Sequence, residues 1–417
     1  MKRKLIIIIA LGLGIASHAQ ETTADTSAIL LKELIINAAI ARRDAPLTLN
    51  TVSRKDIALY GNTGTYPEIL RHIGGVYATS DAGNYGDAKI NIRGFKQENF
   101  SVMLNGLPLS GIRSGSMFWN NWLGLTEATH SIQLQKGVGE SMLAGNALGG
   151  SINIITRPAE QPRGGEAVFG LTNYGQYKLN LSLASGALRN GWAFSLVGSH
   201  TWGEGYVDVT GVNAWAYFLT VSKYFNYKHS LVLNALGSPE KHEQRSQKLS
   251  EAEVAQYGLQ YNKNWGYYKG AAKTVNENKY HRPYFTLDWF FTPSTTFKMA
   301  TTAYFSIGNG GGSWTETTGK SIVSYRTDDG LIDWAAVYND NINNTDSKIL
   351  PDGSSLAGYA KNITSDYLAG NTSAGLKSIL TIKLNETIDL SAGAHYQYFY
   401  SWQHEKITDL LGGRYWY

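Results

Sequence analysis

The stretch Ile388-Asp389-Leu390-Ser391-Ala392-Gly393-Ala394-His395-Tyr396-Gln397-Tyr398-Phe399-Tyr400 decides the fold class. Ile388, Leu390, Ala392, Ala394, Tyr396, Tyr398 and Tyr400 fall on one face of an extended chain, and Asp389, Ser391, His395 and Gln397 on the other. A period of two marks a strand, because successive side chains leave a pleated backbone on opposite sides. Sustained over roughly ten residues, it is long enough to cross a bilayer at a tilt, with the apolar face to lipid and the polar face to a lumen. The same alternation sets Tyr177, Leu179, Leu181 and Leu183 against Lys178, Asn180 and Ser182. It also sets Trp192, Phe194 and Leu196 against Ala193, Ser195 and Ser199. Aromatic residues gather at the strand ends, the level of lipid headgroups.

Outward from that stretch, strands are predicted near 165–173, 176–186, 191–203, 212–225, 229–237, 281–291, 295–307, 372–383 and 386–401. A tenth is expected to start at Arg414-Tyr415-Trp416-Tyr417. The links Ala187 to Gly191, Phe225 to Lys228, Thr292 to Thr295 and Leu384 to Glu386 are short, whereas 238–280 and 308–371 are long. If the first strand rises from the periplasm, these four short links lie on the periplasmic side and both long ones outside. The tight turn at Tyr174-Gly175 is the exception. Outer-membrane barrels sort their loops in this way; a soluble sandwich has no reason to.

Composition agrees. With 45 Gly, 26 Tyr and 11 Trp but only 17% charged residues, the chain suits amphipathic sheet with aromatic girdles better than a soluble enzyme. A secreted β-sandwich fits composition alone. The absence of Cys excludes disulfides and thiolate metal sites, and a net charge of +4 without a basic block argues against nucleic acid. Met1-Lys2-Arg3-Lys4, the apolar run Leu5 to Ile15 and Ser17-His18-Ala19 read as a signal peptide over 1–19. No later stretch is apolar for the ~18 residues of a spanning helix.

Three further regions follow. Residues 20–44 form a flexible arm carrying the apolar island Leu31-Lys32-Glu33-Leu34-Ile35-Ile36-Asn37-Ala38. Residues 45–158 are a mixed α+β region of about 115 residues, enough to bury its own core. In it a short helix is predicted over Tyr66 to Ile73, with strands at Lys89 to Arg93, Ser101 to Leu104, Ser131 to Gln135 and Ser151 to Ile155. Asn105-Gly106, between Val102-Met103-Leu104 and Leu107-Pro108-Leu109, signals a hairpin turn. Residues 164–417 hold the long strands.

Catalytic constellations are missing from this pattern. His242, with Glu240 and Glu243, reads as a solvated charged run in the first long loop. Gly308 to Gly312 lacks the Lys-Ser/Thr of a phosphate loop. Neither an enzyme, a metal site nor a cofactor is expected.

Several segments, in order, carry a family resemblance. They are the apolar island, Ile69-Leu70-Arg71-His72-Ile73-Gly74-Gly75-Val76, Ile90-Asn91-Ile92-Arg93-Gly94-Phe95, the Asn105-Gly106 hairpin, Ile132 to Gly137, and Gly145-Asn146-Ala147-Leu148-Gly149-Gly150-Ser151-Ile152-Asn153-Ile154-Ile155-Thr156. Together they resemble the TonB-dependent outer-membrane receptors. Gly74 stands where the family has Pro, and Asn105 where it has an acidic turn residue; both are mild changes of turn chemistry.

The resemblance implies a mainly β protein, with an N-terminal α+β plug inside an antiparallel transmembrane β-barrel of about 22 strands. With nine or ten strands written here, the chain is expected to be truncated and its barrel unclosed. It also implies that Leu31, Lys32, Glu33, Leu34, Ile35, Ile36, Asn37 and Ala38 form the TonB box, a strand that adds to the sheet edge of a periplasmic energy-coupling protein. The alternative is a plug edge strand. Arg93, Gly94, Asn105, Gly106, Gly137, Gly149, Gly150 and Asn153 are the implied plug-shaping residues. Arg93 either pairs with carboxylates of the barrel wall or acts inside the plug.

Ligand recognition is expected at the plug apices, through Asp81, Asn84 and Tyr85 on one and Arg113, Phe118, Trp119 and Trp122 on the other. A cation beside flat apolar faces suits an anionic chelate with an aromatic frame; the alternative is that these rings pack the plug–barrel seam. The implied function is energised uptake of a scarce ligand, an iron–siderophore or similar metal chelate first. Haem, cobalamin or oligosaccharide cargo, ligand sensing and passive diffusion are the alternatives. The implied setting is bacterial outer-membrane lipid.

Overall fold

The computed structural model describes residues 49–61, 64–80, 88–111, 115–137, 148–172 and 174–417. The expected signal peptide, the arm with Leu31 to Ala38, and Asp81, Asn84, Tyr85 and Arg113 lie outside the described residues.

The first unit contains β1 (Leu49–Val52), α1 (Arg54–Tyr60), β2 (Val76–Ser80), β3 (Ala88–Ile92), β4 (Ser101–Leu104), β5 (Leu107–Pro108), α2 (Leu125–Ala128), β6 (Thr129–Lys136) and β7 (Gly150–Thr156). Helix α1 starts where Ser53 and Asp56 form a reciprocal capping box. The helix expected over Tyr66 to Ile73 is a shorter 3-10 turn, Tyr66–Leu70, preceded by Thr65 and opened by Pro67. Six residues between Pro67 and the Gly74-Gly75 pair are too few to propagate an α-helix, and the tighter turn needs fewer fixed dihedrals. The central sheet runs β1-β6-β7-β4-β5.

Asn105 and Gly106 both have positive φ, 49° and 77°. That is the type I′ geometry which matches strand twist in a two-residue hairpin. The Asn105 side chain accepts from the Thr156 amide at 3.0 Å, and Asn153 Oδ1 accepts from the Gly106 amide at 2.9 Å. The turn is thereby sewn to β7. Ile57, Ile69, Leu70, Ile92, Val102, Leu104, Ile132 and Ile154 fill the core beneath it.

The second unit is built on one large antiparallel sheet, with two short two-stranded sheets beside it. Its elements are β8 (Gly164–Leu171), β9 (Gln176–Ala184), β10 (Trp192–Gly203), β11 (Val212–Tyr224), β12 (His229–Gly237), β13 (Glu240–Glu243), α3 (Glu251–Tyr257), β14 (Trp265–Tyr268), β15 (Ala271–Thr274) and β16 (Glu277–His281). After them come β17 (Tyr284–Phe291), β18 (Phe297–Thr317), α4 (Trp334–Ile342), β19 (Ser347–Ile349), β20 (Ser355–Ala357), β21 (Asn362–Lys383) and β22 (Asp389–Asp409). The long strands pair in sequence order β8-β9-β10-β11-β12-β17-β18-β21-β22, while β13 and β16 extend the wall between β11 and β18. Among the described residues β8 pairs only with β9 and β22 only with β21, so the sheet is a partial barrel.

Its polarity is inverted relative to a soluble sandwich. On β9, Gln176, Lys178, Asn180 and Ser182 are buried, whereas Leu181 and Leu183 are 51% and 61% exposed. Trp192, Phe194 and Leu196 of β10 likewise face out, and Ser195 and Ser199 face in. A strand that hides its serines and displays its leucines is stable only if the outside is hydrocarbon. Leu236, Val197, Phe218, Tyr284 and Tyr304 of the inner wall join the core of the first unit, which sits against the concave face.

Three expectations are corrected here. Gly308 to Gly312 is not loop but part of β18, paired with β16 on one side and β21 on the other. Glycine predicts poorly as strand, yet here the ladder on both flanks supplies what propensity lacks. Arg414 to Tyr417 form no tenth strand; the Tyr415 carbonyl instead accepts from Ala360 N at 2.7 Å. Glu240 and His242 are not solvated. They point inward from β13, 5% and 1% exposed, with His242 Nδ1 2.5 Å from Glu240 Oε2. Extension of the wall above the bilayer turned a supposed loop into a strand with an inner face.

Candidate functional site: a plug seated in a polar lumen

The seam between plug and wall is built by inward-facing residues of the long strands. Lys178 of β9 forms an ion pair with Glu127 of α2, and both side chains are 6% exposed. At Gly124, immediately before α2, the backbone comes so close to β11 that an added Cβ would lie 2.4 Å from Ala216 Cβ. Lys377 of β21 reaches the tip of the plug hairpin and donates to the Gly106 carbonyl at 2.7 Å. Beside it, Asp288 of β17 accepts from Thr302 at 2.5 Å and from Thr286 and Asn234 at 3.2 Å each. Arg157, which follows β7, donates its amide to Ala128 at 2.8 Å and is buried. Burial, with Arg54 nearby, brings its guanidinium down to about 10, still a cation at neutral pH.

The expected aromatic ligand face divides. Phe118 is 65% exposed. Trp119 and Trp122 are not available to a ligand: they are 2% and 3% exposed. Trp119 stacks on Tyr66 at 5.5 Å and donates to Gln97 at 2.8 Å. Trp122 meets Tyr284 of the wall edge-on at 5.8 Å, with the Arg282 guanidinium 5.3 Å over its ring. Trp119 is thus packed on residues of the plug itself and Trp122 in the seam, since a plug inside a barrel has to bury its widest side chains.

Arg93 is exposed and holds a left-handed turn (φ 51°), its amide donating to Gly75 at 2.7 Å. No carboxylate pairs with its guanidinium among the described residues, so the wall pairing is not formed there. Gly94 and Gly137 also have positive φ, and the Gly149 amide donates to Asn99 at 2.8 Å.

Above the wall, the two long connections fold into a roof. Val275, Ile322, Ile332, Trp334, Val337 and Leu411 form its separate core. Lys273 pins it, 3.0 Å from both Asp409 Oδ2 and the Tyr338 hydroxyl and 4.7 Å over the Trp334 ring. Burial and the neighbouring Asp340 push the Tyr325 hydroxyl up to about 12. Sequence reading missed this roof, and it missed Lys178, Glu127, Asp288 and Lys377 as seam residues. A signal existed for the wall residues: a charge on a spanning strand is costly unless it faces the interior and has a partner.

Residues 41–151 match the family model described as the TonB-dependent receptor plug domain. These residues form a TonB-dependent receptor plug domain. The chain's sequence is 26% identical over 150 residues to the vitamin B12 transporter BtuB of Vibrio vulnificus, covering 35% of this chain and 24% of that one. It is 26% identical over 229 residues to the ferrienterobactin receptor of Escherichia coli, covering 51% and 29%. Among solved structures, the unliganded ferric citrate transporter FecA superposes with a TM-score of 0.61 at 16% identity, covering 86% of this chain and 48% of that chain. The receptor chain thus spans about half the length of that structural relative, and its matched segments about a quarter of the sequence relatives. The receptor fold, plug plus antiparallel barrel sheet, places the protein in the bacterial outer membrane.

Proposed function

We propose that this receptor imports a scarce ligand, most readily an iron–siderophore or similar metal chelate, using energy delivered from the periplasm. The observation that carries the proposal is the plug itself, tied to the lumen wall by Glu127–Lys178, by Lys377 on Gly106, and by Trp122 against Tyr284. A lumen filled this way blocks diffusion, so transport requires work on the plug. The handle we assign to that work is Leu31 to Ala38, where a short apolar strand can add to the sheet edge of a TonB-type protein. The named relatives are a transporter of cobalamin, a receptor of ferrienterobactin and a transporter of ferric citrate. The sequence relatives include carriers of both kinds, so cobalamin stands as the second candidate cargo.

The test is accumulation of radiolabelled ferric chelates, with cobalamin in parallel, in cells producing the receptor with and without Leu34 to Asn37. Loss of uptake on deletion is expected. Unchanged uptake sinks the proposed handle, and cobalamin uptake alone sinks the proposed cargo.

A further inference from the structure

A chamber opens between the plug and the periplasmic half of the wall. It is lined by Asn105, Thr156 and Arg157 from the plug side and by Thr220, Asp288 and Lys377 from the wall, with Phe290 and Ile379 among its apolar surfaces. Its depth follows from the strands: Phe290 lies one residue from the lower end of β17, and Ile379 four from that of β21. Its polar groups are unevenly satisfied. Asp288 is occupied by Thr302, Thr286 and Asn234. Arg157 is 5% exposed, yet its Nε and Nη2 have no hydrogen-bond acceptor among the described residues, and the nearest carboxylate, on exposed Glu166, stands 3.9 Å away. The Thr220 hydroxyl is fully buried and also lacks a partner. Lys377 donates one hydrogen bond, to Gly106, and has no carboxylate within ion-pair distance among the described residues.

Buried donors without acceptors are uncommon in native proteins, and each calls for an explanation. Here Arg157 and Thr220 share one chamber with the Lys377 ammonium, the carboxylate that lines it, Asp288, is already saturated, and the groups come from both sides of the seam. We propose that this chamber is a binding site for an oxyanion, a carboxylate or phosphate group, held between Arg157 of the plug and Lys377 of the wall. Charge-assisted bonds from a guanidinium fork and an ammonium are the strong way to hold such a group, and the Thr220 hydroxyl adds a neutral donor. Because the anion bridges plug and wall, its binding stabilises the seated plug by mass action. The group could belong to free phosphate or to an anionic arm of the cargo on its way to the periplasm. Only the second source rests on the import proposal.

The test is titration calorimetry on the full chain in detergent micelles at constant ionic strength, with inorganic phosphate in one arm and citrate in the other. Saturable binding is expected, weakened at least tenfold by Arg157→Gln and several-fold by Thr220→Val and Lys377→Gln. Arg163→Gln, on an exposed neighbour, is expected to leave it unchanged. Binding of phosphate alone marks the free anion as the occupant; binding of citrate marks carboxylate-bearing cargo. Should Arg157→Gln fail to fold, Thr220→Val, a change of similar volume, carries the decision. No saturable heat with either anion, or equal affinity in all variants, overturns the proposal. No energy-coupling partner is present in the measurement, so its failure leaves the import reading standing, and a failure of uptake leaves this one standing.

Discussion

Replacing Lys178 by Met tests the seam at its most sensitive contact. Methionine preserves the apolar stem but removes the cation, leaving the Glu127 carboxylate buried in the interface. One oxygen of that carboxylate, Oε2, already has no hydrogen-bond partner among the described residues. Deleting one member of a buried ion pair costs about 3–5 kcal/mol, chiefly through the stranded charge. At about 1.4 kcal/mol per decade, opening of the plug at α2 and the start of β6 becomes two to three and a half orders of magnitude more frequent. Hydrogen exchange reads this directly, because the Ala128 amide donates to Gly124 and the Ala128 carbonyl accepts from Arg157 across the same contact. Exchange in this segment is expected to accelerate by that factor in Lys178→Met, while amides of β18 and β21 keep their rates. The double variant Glu127→Gln/Lys178→Met removes both charges and is expected to recover most of the loss. Unchanged exchange in the single variant, or a double variant as labile as the single, refutes the reasoning.

The other predictions follow from the same geometry. Gly124→Val drives a side chain into Ala216 and is expected to destabilise plug seating by about 1–3 kcal/mol; the milder Gly124→Ala is expected to be rescued by Ala216→Gly, with protease cleavage of the plug as the measure. Leu181→Lys places a charge on the outward face of β9 and is expected to cost about 2–4 kcal/mol near the bilayer midplane, read as a lower urea midpoint in lipid vesicles; a neutral effect would place that face in water. Glu160, in the segment joining plug to barrel, has its carboxyl raised by burial. A raised acid contributes stability below its ordinary value and loses it as pH rises through the raised one. Glu160→Gln is therefore expected to match the parent at pH 4 and to become the more stable protein as pH climbs, in thermal melts across that range.

Much of the architecture was legible because two periodicities are hard to disguise. The alternation of Leu179, Leu181 and Leu183 with Lys178, Asn180 and Ser182 gave the strand, its two faces and the side that meets lipid. Asn105-Gly106 gave the hairpin, since few other dipeptides accept two consecutive positive φ angles without strain. The failures have physical causes too. Gly308 to Gly312 reads as a breaker, because local propensity carries no record of the two strands that flank it. Glu240 and His242 read as solvated, because burial on a strand depends on what faces it. Trp119 and Trp122 read as a ligand platform, because a flat ring suits a plug core or a seam as well as it suits a chelate.

The sequence by itself determined that lipid-facing strands of alternating polarity follow a compact α+β unit. Both rest on local rules: side-chain direction along a strand, and the turn chemistry of Asn and Gly. Only the tertiary structure decided which polar residues of the inner faces meet the plug. Lys178 and Glu127 are 51 residues apart in the chain, and Lys377 lies 271 residues from Gly106. No spacing encodes those pairings; they exist because a curved sheet brings strands written far apart onto one concave surface. The same holds for the donors of Arg157 and Thr220, whose lack of acceptors becomes visible only once plug and wall enclose them together.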